Sequence, residues 1–585
     1  MNAAVDSSHE QDVRRCVAEP LLRSLTRRSK LDEAAFTYDN YSADRAAARH
    51  TLTWSELYLR TVAVAARISS AVDADARVAI LCPQDLSYPV AFLGALASGA
   101  IAVPLFAPEV GSHADRLTGV LGDCEPTVWL TSSAARASTE ELLRDPRVTP
   151  PAEIVAVDEV DRDVGGDFVL PEIDQRATAY LQYTSGSTRA PAGAAITHRA
   201  VTANVQQVAD AYDLDADWTS VGWIPFFHDM GLVLLTCLPV GLGMTTVFST
   251  PFDFIRRPRG WLEELSSHAK VITAAPNFAF DYAVDRIKEE SRAGLDLSGV
   301  RVAINGSEPV RARTVKRFEG AFDGCGFDST AHRPSYGLAE ATVFVSTSGP
   351  AGPTITTFRR SELMAGRAVA AHDEVDSLSL VSAGTPAGQY VCIVDPVHHT
   401  ALDDGLVGEV WVHGPNLASG YWNQPERNKE TFNGRLASPA PGWPAAGWLR
   451  TGDLGVRFAD ELYITGRIKD LIIVDGKNHY PQDIEQTVAD AHPSIRAGRV
   501  AAFGVDTGSD EAIVVVLECR LKGDEAGART EVELAVRRAV AAAHDLKLLG
   551  VQILAGHRVL RTSSGKIARS ANRDRYLAEG HGGVA

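Results

Sequence analysis

The sequence predicts an α/β fold: a large N-terminal domain of mostly parallel βαβ sheets with a β-rich subdomain, followed by a small α+β domain. Three observations carry this expectation. Over residues 50–345, short runs rich in Val, Ile and Ala alternate with helical patterns, as buried parallel strands and their crossover helices do. From about 380 to 465 the runs become short and closely spaced, with turn residues between them, which reads as antiparallel β-structure. After Gly466-Arg467-Ile468-Lys469-Asp470 the texture changes again, to a small α+β unit.

Taken in order, the strand-like runs are Ala76–Cys82, Ile101–Leu105, Val128–Thr131, Ile154–Val157, Val221–Ile224, Val271–Ala274 and Val300–Ile304. Two uncharged stretches, Leu86–Pro108 and Met230–Phe252, are each 23 residues long, enough to cross a bilayer. Gly and Pro interrupt both, so each reads as a buried helix, a glycine stop and a short buried strand. No transmembrane segment is expected. Gly349–Leu380 has weak periodicity and opens on Gly349-Pro350-Ala351-Gly352-Pro353; it reads as an inserted surface segment. Tyr390–Asp395, Gly408–His413 and Glu461–Thr465 are the antiparallel candidates. In the last part, Val500–Val505 and Ala512–Cys519 are strand-like. Thr530-Glu531-Val532-Glu533 is a capping box opening a helix that shows Val532, Val536 and Val540 on one face. The expected division is 1–468 and 469–585, with the insertion at about 349–380.

The 585 residues are 45% apolar and 22% charged, the composition of a globular chain able to bury a large core. Lys+Arg 57 against Asp+Glu 74 leaves a net charge of −17, which argues against a general nucleic-acid binder. The seven cysteines are scattered, with no C-x-x-C, and read as reduced and intracellular, so a cytoplasmic location is expected. Met1-Asn2-Ala3-Ala4-Val5-Asp6 lacks a basic n-region followed by an apolar run, so no signal peptide is expected.

The most informative segment is Tyr183-Thr184-Ser185-Gly186-Ser187-Thr188-Arg189-Ala190-Pro191-Ala192-Gly193, after the strand-like Ala179-Tyr180-Leu181-Gln182. Hydroxyls interleaved with glycine, plus open backbone N–H groups, can wrap polyphosphate oxygens. It lacks the lysine of the G-x-x-x-x-G-K-[ST] loop, and taken alone an ordinary Ser/Gly turn explains it equally well. Further along stand Gly306-Ser307-Glu308-Pro309, Ser335-Tyr336-Gly337-Leu338-Ala339-Glu340-Ala341-Thr342, Thr451-Gly452-Asp453, Gly466-Arg467-Ile468-Lys469-Asp470 and Ser563-Ser564-Gly565-Lys566-Ile567. In that order, over nearly the whole chain, these motifs resemble the adenylate-forming superfamily of acyl-CoA synthetases, luciferases and peptide-synthetase adenylation domains.

Within it the loop resembles the fatty acyl-AMP ligase branch, whose version runs T-S-G-S-T-R-x-P-A-G. Acyl-CoA synthetases usually have glycine in place of Arg189 and lysine in place of Ala192. Gly349–Leu380 sits where that branch carries an insertion absent from CoA-using relatives. Lys469-Asp470-Leu471-Ile472-Ile473-Val474-Asp475-Gly476-Lys477-Asn478-His479-Tyr480-Pro481 is most similar to actinobacterial ligases that load polyketide synthases. Leu560 departs from the pattern, since relatives often have proline before the final lysine loop.

The resemblance implies activation of a fatty acid by ATP and Mg²⁺, then acyl transfer to an acyl carrier protein or a polyketide synthase carrier domain. It implies that Thr184, Ser185, Gly186, Ser187 and Thr188 hold the phosphates, with Arg189 in support. Glu340 is the Mg²⁺ candidate, as a hard cation takes one or two carboxylates plus phosphates and water. Tyr336 offers a flat face for adenine, Gly306, Ser307 and Glu308 a close backbone approach, and Ser335, Gly337 and Ala339 line the nucleotide. Asp453 has two acceptor oxygens suited to the ribose hydroxyls, and Arg467 can donate there. Lys566 can bridge substrate carboxylate and α-phosphate. His228, in Phe226-Phe227-His228-Asp229-Met230-Gly231, stands at the acyl entrance, and Ala274–Phe280 could line the acyl tunnel or be plain core. Lys469 marks the hinge about which the last part turns. An acyl-CoA synthetase is the alternative reading, and a catalytically inactive nucleotide-binding regulator a further one. Arg256-Arg257-Pro258-Arg259 could dock an acidic carrier, or be a plain solvated face.

Overall fold

The computed structural model describes residues 20–41, 48–108, 114–183, 191–372, 376–474, 477–506, 511–520, 525–554, 558–562 and 566–579, with Ala18 and Gly556. Two large sheets dominate. One runs, in spatial order, Thr385–Pro386, Ser346–Thr347, His332–Tyr336, Val300–Gly306, Val271–Pro276, Thr219–Gly222, Thr245–Phe248, Ala34–Asn40 and Ala48–Thr53. Its pairings are parallel from His332–Tyr336 across to Ala34–Asn40 and antiparallel at both edges. The other runs Glu153–Ala156, Val128–Thr131, Arg77–Ile80, Ile101–Pro104, Thr178–Tyr183 and Gly193–Thr197, parallel except for its last pair.

One apolar core draws Phe36, Ile80, Leu130 and Ile272 from these sheets together with helices Trp54–Ser69, Ser87–Ala97 and His198–Tyr212. Strands buried on both faces must be continuously apolar, which is why they are legible as short Val/Ile/Ala runs. The first of these helices starts where it does because Thr53 and Glu56 cap each other, each backbone N–H reaching the other's side-chain oxygen at 3.2 Å. The two uncharged stretches resolve as expected into helix Ser87–Ala97 with strand Ile101–Pro104, and helical run Asp229–Leu242 with strand Thr245–Phe248. Among the described residues no helix is long and apolar enough to cross a membrane.

Tyr390–Val394, Gly408–His413, Ala446–Phe458 and Glu461–Arg467 form the expected antiparallel sheet, with Gly434–Arg435 at its edge. The smaller α+β unit follows. Its strands Ile495–Asp506, Glu511–Cys519 and Leu548–Leu554 pack against helices Pro481–Asp490 and Glu525–His544 through Ile484, Val488, Val532, Val536 and Val540.

Two expectations need correction. The capping box at Thr530 opens nothing: helix Glu525–His544 begins five residues earlier, because Glu525-Ala526-Gly527-Ala528-Arg529 supplies mostly good helix formers ahead of it. The insertion is no loose surface segment. Ile355–Arg359 and Ser377–Val381 pair antiparallel, helix Arg360–Met364 follows the first strand, and Phe358 and Leu363 are buried against Val456 and Tyr463.

Candidate active site

Parallel strands leave their carboxyl ends as a natural crevice. Here Tyr183, Gly306 and Tyr336 each end one of them, and all three line a cleft of ≈ 1770 Å³. The described residues given a nucleotide, metal, catalytic or hinge role from sequence all line that same cleft: His228, Gly306, Ser307, Glu308, Ser335, Tyr336, Gly337, Ala339, Glu340, Asp453, Arg467, Lys469 and Lys566. Thr184, Ser185, Gly186, Ser187, Thr188 and Arg189 lie outside the described residues, as do Ser563, Ser564 and Gly565.

Asp453 and Arg467 face each other across the hairpin of Ala446–Phe458 and Glu461–Arg467. Arg467 Nε donates to Asp453 Oδ1 at 2.8 Å, and Tyr336 Oη donates to Asp453 Oδ2 at 2.7 Å. Burial, then the Asp453 charge, pushes the Tyr336 phenol well above its usual pKa, keeping it a donor. The backbone beside Tyr336 leaves no room for side chains. A Cβ on Gly306 would stand 2.8 Å from Ser335 O, and one on Gly337 would overlap Val343 O. Ser307 holds a left-handed φ of 68°, a sparsely populated conformation for a residue with a side chain. The other two groups serve the walls. Ser335 Oγ joins Tyr212 Oη and Thr347 Oγ1, while Glu308 Oε1 accepts the Phe278 N–H at 2.6 Å.

Glu340 is held by residues that no motif announced. Tyr421 Oη donates to its Oε1 at 2.6 Å, the Ala418 N–H donates to its carbonyl, and the Arg427 guanidinium lies 4.1 Å above the Tyr421 ring. Ser419–Trp422 is stitched by backbone hydrogen bonds to strand Gly193–Thr197, so Glu340 is tied to the strand that follows the phosphate-loop segment. Among the described residues no three His, Cys, Asp or Glu side chains cluster as a metal cage. A single carboxylate in a nucleotide cleft fits Mg²⁺ all the same, since phosphates and water complete its shell.

At the apolar end His228 Nδ1 is 2.6 Å from Asp229 Oδ1. Burial alone would raise the Asp229 carboxyl, but His228 and Lys566 outweigh it and hold its pKa below the usual value. Of Ala274–Phe280, only Asn277 and Phe278 reach the cleft, whereas Ala275, Ala279 and Phe280 are fully buried core. The apolar run is mostly packing, the plain-core reading the sequence also allows.

Lys566 comes from the C-terminal unit. The Thr562 N–H bonds to Lys566 O at 2.8 Å, the Lys566 N–H to Thr562 Oγ1 at 3.1 Å, and Arg561 bridges to Ile567, so a short hairpin stem presents the lysine. Burial, opposed in part by Asp229, lowers the pKa of its ammonium below the ordinary lysine value. The stem's Arg561 lies over Phe278, 5.8 Å from the ring centroid. Lys469 sits in the exposed turn Ile468–Asp470. Behind it, Arg569 donates to Asp470 at 2.9 Å and in bidentate fashion to Glu485 at 2.7 and 2.8 Å. The insertion also reaches the C-terminal unit: Arg360 pairs with the buried Asp483 at 2.9 and 3.2 Å and donates to Ala543 O. Long-range pairs of this kind leave no local trace in a sequence. By contrast Arg257 and Arg259 share Glu263, and Arg256 lies over Phe252, so internal partners already occupy that cluster.

A crevice at parallel strand ends, with an Asp–Arg–Tyr clamp, a braced glutamate and a lysine from a second unit, describes an adenylate-forming enzyme. The chain belongs to the AMP-binding enzyme family, whose model matches residues 26–422, and residues 469–581 match the AMP domain of the Disco-interacting protein 2-like type. It is 42% identical over 561 residues to the long-chain-fatty-acid–AMP ligase FadD26 of Mycobacterium marinum, covering 94% of this chain and 95% of that one. It is 40% identical to the 4-hydroxyphenylalkanoate adenylyltransferase of Mycobacterium tuberculosis, covering 93% and 89%. A solved structure from work on the fatty acyl-adenylate ligases of E. coli and L. pneumophila superposes with a TM-score of 0.84 at 30% identity, covering 96% and 97%.

Proposed function

We propose that the chain activates a fatty acid with ATP and passes the acyl group to the phosphopantetheine thiol of an acyl carrier protein or polyketide synthase. In the first step a carboxylate oxygen attacks the α-phosphorus, and the bond to pyrophosphate breaks. This leaves an acyl-AMP mixed anhydride. In the second, the thiol sulfur attacks the acyl carbon and AMP leaves. Both reactants of the first step are anions, so positioning and charge cancellation are what the protein must supply.

Asp453 and Arg467 exchange part of their mutual contact for the ribose hydroxyls, and Tyr336 and the close-set Gly306 backbone hold the base. Mg²⁺, when bound, would be held by Glu340 and the phosphates and would neutralise phosphate charge. His228, steadied by Asp229, stands where the acyl carboxylate enters. Lys566 is the cation at the reacting centre. Burial lowers its pKa more than Asp229 raises it, and two incoming anions would raise it further, so the ammonium is stabilised where negative charge gathers. Lys469 is the pivot by which the C-terminal unit, residues 469–585, withdraws Lys566 before transfer.

The observation that carries this reading is the half-buried Lys566 sharing one cleft with Asp229, Asp453 and Glu340. Carrier thiols are favoured over CoA as acceptors by Arg189, by Ala192 and by the folded insertion that grips the C-terminal unit through Arg360. The test is mass spectrometry of products from a panel of fatty and arylalkanoic acids with ATP and Mg²⁺, supplied with CoA or with holo carrier proteins. Acyl-AMP, then acylated carrier without acyl-CoA, is expected. Efficient acyl-CoA formation would make the chain an acyl-CoA synthetase, and no pyrophosphate from any acid would make it a nucleotide-binding regulator.

A further inference from the structure

Helix Ala114–Cys124 runs beside the strand ends, and its residues 116, 119 and 123 share one face by helical spacing. Two contacts fix where that face looks. The Asp123 carboxylate accepts the Tyr183 hydroxyl at 2.5 Å, and a Cβ on Gly119 would lie 3.8 Å from Pro191 Cγ. Tyr183 and Pro191 are the two residues between which the phosphate-loop segment is strung. Arg116 continues this stripe one turn toward the helix start, and with Tyr183 it lines the cleft. Position 192, which holds the loop cation in CoA-using relatives, carries an alanine only 3% exposed and packed in the core. Among the described residues, Arg116 and Arg427 bring positive charge to this end of the cleft, and Arg427 already donates to Gln424 Oε1.

We propose that Arg116 is a polyphosphate-binding residue, donating to the terminal phosphates of the nucleoside triphosphate and then to the departing pyrophosphate. The charge is costly to keep there otherwise: burial lowers the Arg116 pKa, and no carboxylate among the described residues offsets it. An anion supplied by substrate would. A guanidinium fork suits this task, because its five N–H groups can engage two phosphate oxygens at once. This assignment rests on the adenylation reading above and adds to it a phosphate-binding cation from outside the loop.

The test is titration calorimetry of the full-length protein, without acid substrate, against Mg²⁺·ATP, inorganic pyrophosphate and AMP. In R116A and R116Q, ATP and pyrophosphate are expected to bind roughly ten- to a hundredfold more weakly, as for loss of a charge-assisted hydrogen bond. AMP, which lacks the terminal phosphates, should change by less than about twofold, and R116K should recover part of the loss. Unchanged ATP affinity in R116Q would overturn the proposal, as would equal weakening of ATP and AMP, which marks a structural role. If R116A does not fold, R116Q, with similar volume and no charge, decides the matter. Wild-type protein that binds neither ATP nor AMP would instead remove the adenylation reading itself.

Discussion

Along the wall built by the N-terminal part, the acidic groups already have partners: Asp453 has Tyr336 and Arg467, Glu340 has Tyr421, and Glu308 has the Phe278 N–H. The C-terminal unit brings the opposite, a half-buried lysine on a hairpin stem whose charge the carboxylates of the cleft, Asp229 first, offset only in part. One wall is preorganised and can exchange partners for ligand at little cost. The other carries a single decisive charge that can be taken away. The two-step reaction proposed above would profit from that division, with the cation present in the first step and withdrawn in the second.

The hardest blow to this contrast is K566A. Pyrophosphate release with fatty acid and ATP should fall roughly 10²–10³-fold, while transfer from supplied acyl-AMP to a holo carrier stays near wild type. Loss of both half-reactions alike would show that the lysine does more than stabilise the first. K469P should act the other way, slowing single-turnover transfer about tenfold while adenylation changes less, since proline fixes φ at the proposed pivot. Equal losses would refute the pivot.

Two bridges between the N-terminal part and the C-terminal unit sharpen the comparison further. Arg360–Asp483 is mostly buried, with side chains 15% and 9% exposed, whereas Arg313–Asp490 is at 65% and 50%. R360A strands Asp483 and should cost roughly 3 kcal/mol in the unfolding of the C-terminal unit. R313A should cost less than about 1 kcal/mol. Hydrogen exchange of helix Pro481–Asp490 distinguishes them, and similar protection in both variants would deny the insertion its grip.

The smallest effect concerns His198, at the start of helix His198–Tyr212, where burial lowers its pKa from 6.5 to about 4. The unfolded chain takes up the proton first as pH falls, so this residue's contribution to stability declines from about pH 6.5 and is fully lost near pH 4. The loss is at most about 3 kcal/mol. Thermal melts of wild type and H198Q should converge across that window, and parallel curves would count against it.

Much of this was legible beforehand, for reasons that differ by region. Val128–Thr131 and Gly408–His413 were read to the residue, because their burial forces a continuous or alternating apolar pattern. Asp453, Tyr336 and Lys566 were found through short motifs whose residues meet in one cleft. Tyr421, Arg427 and Arg569 were not, since each acts on a partner at least 80 positions away in sequence or through an aromatic face. The insertion misled for the same reason: Phe358 owes its burial to Val456 and Tyr463, about a hundred residues on, and its own neighbours show little periodicity.

The glycines that bring the backbone so close around Tyr336 have a further effect on what can be engineered. Gly306 and Gly337, and likewise Gly231 beside Pro225, each meet a main-chain carbonyl where any larger residue would place its first carbon, so no rotamer offers relief. A designer seeking new acids for this scaffold gains nothing at those three sites. Useful diversity has to come from side chains that can move aside, with Phe227 and Met230 the natural first choices.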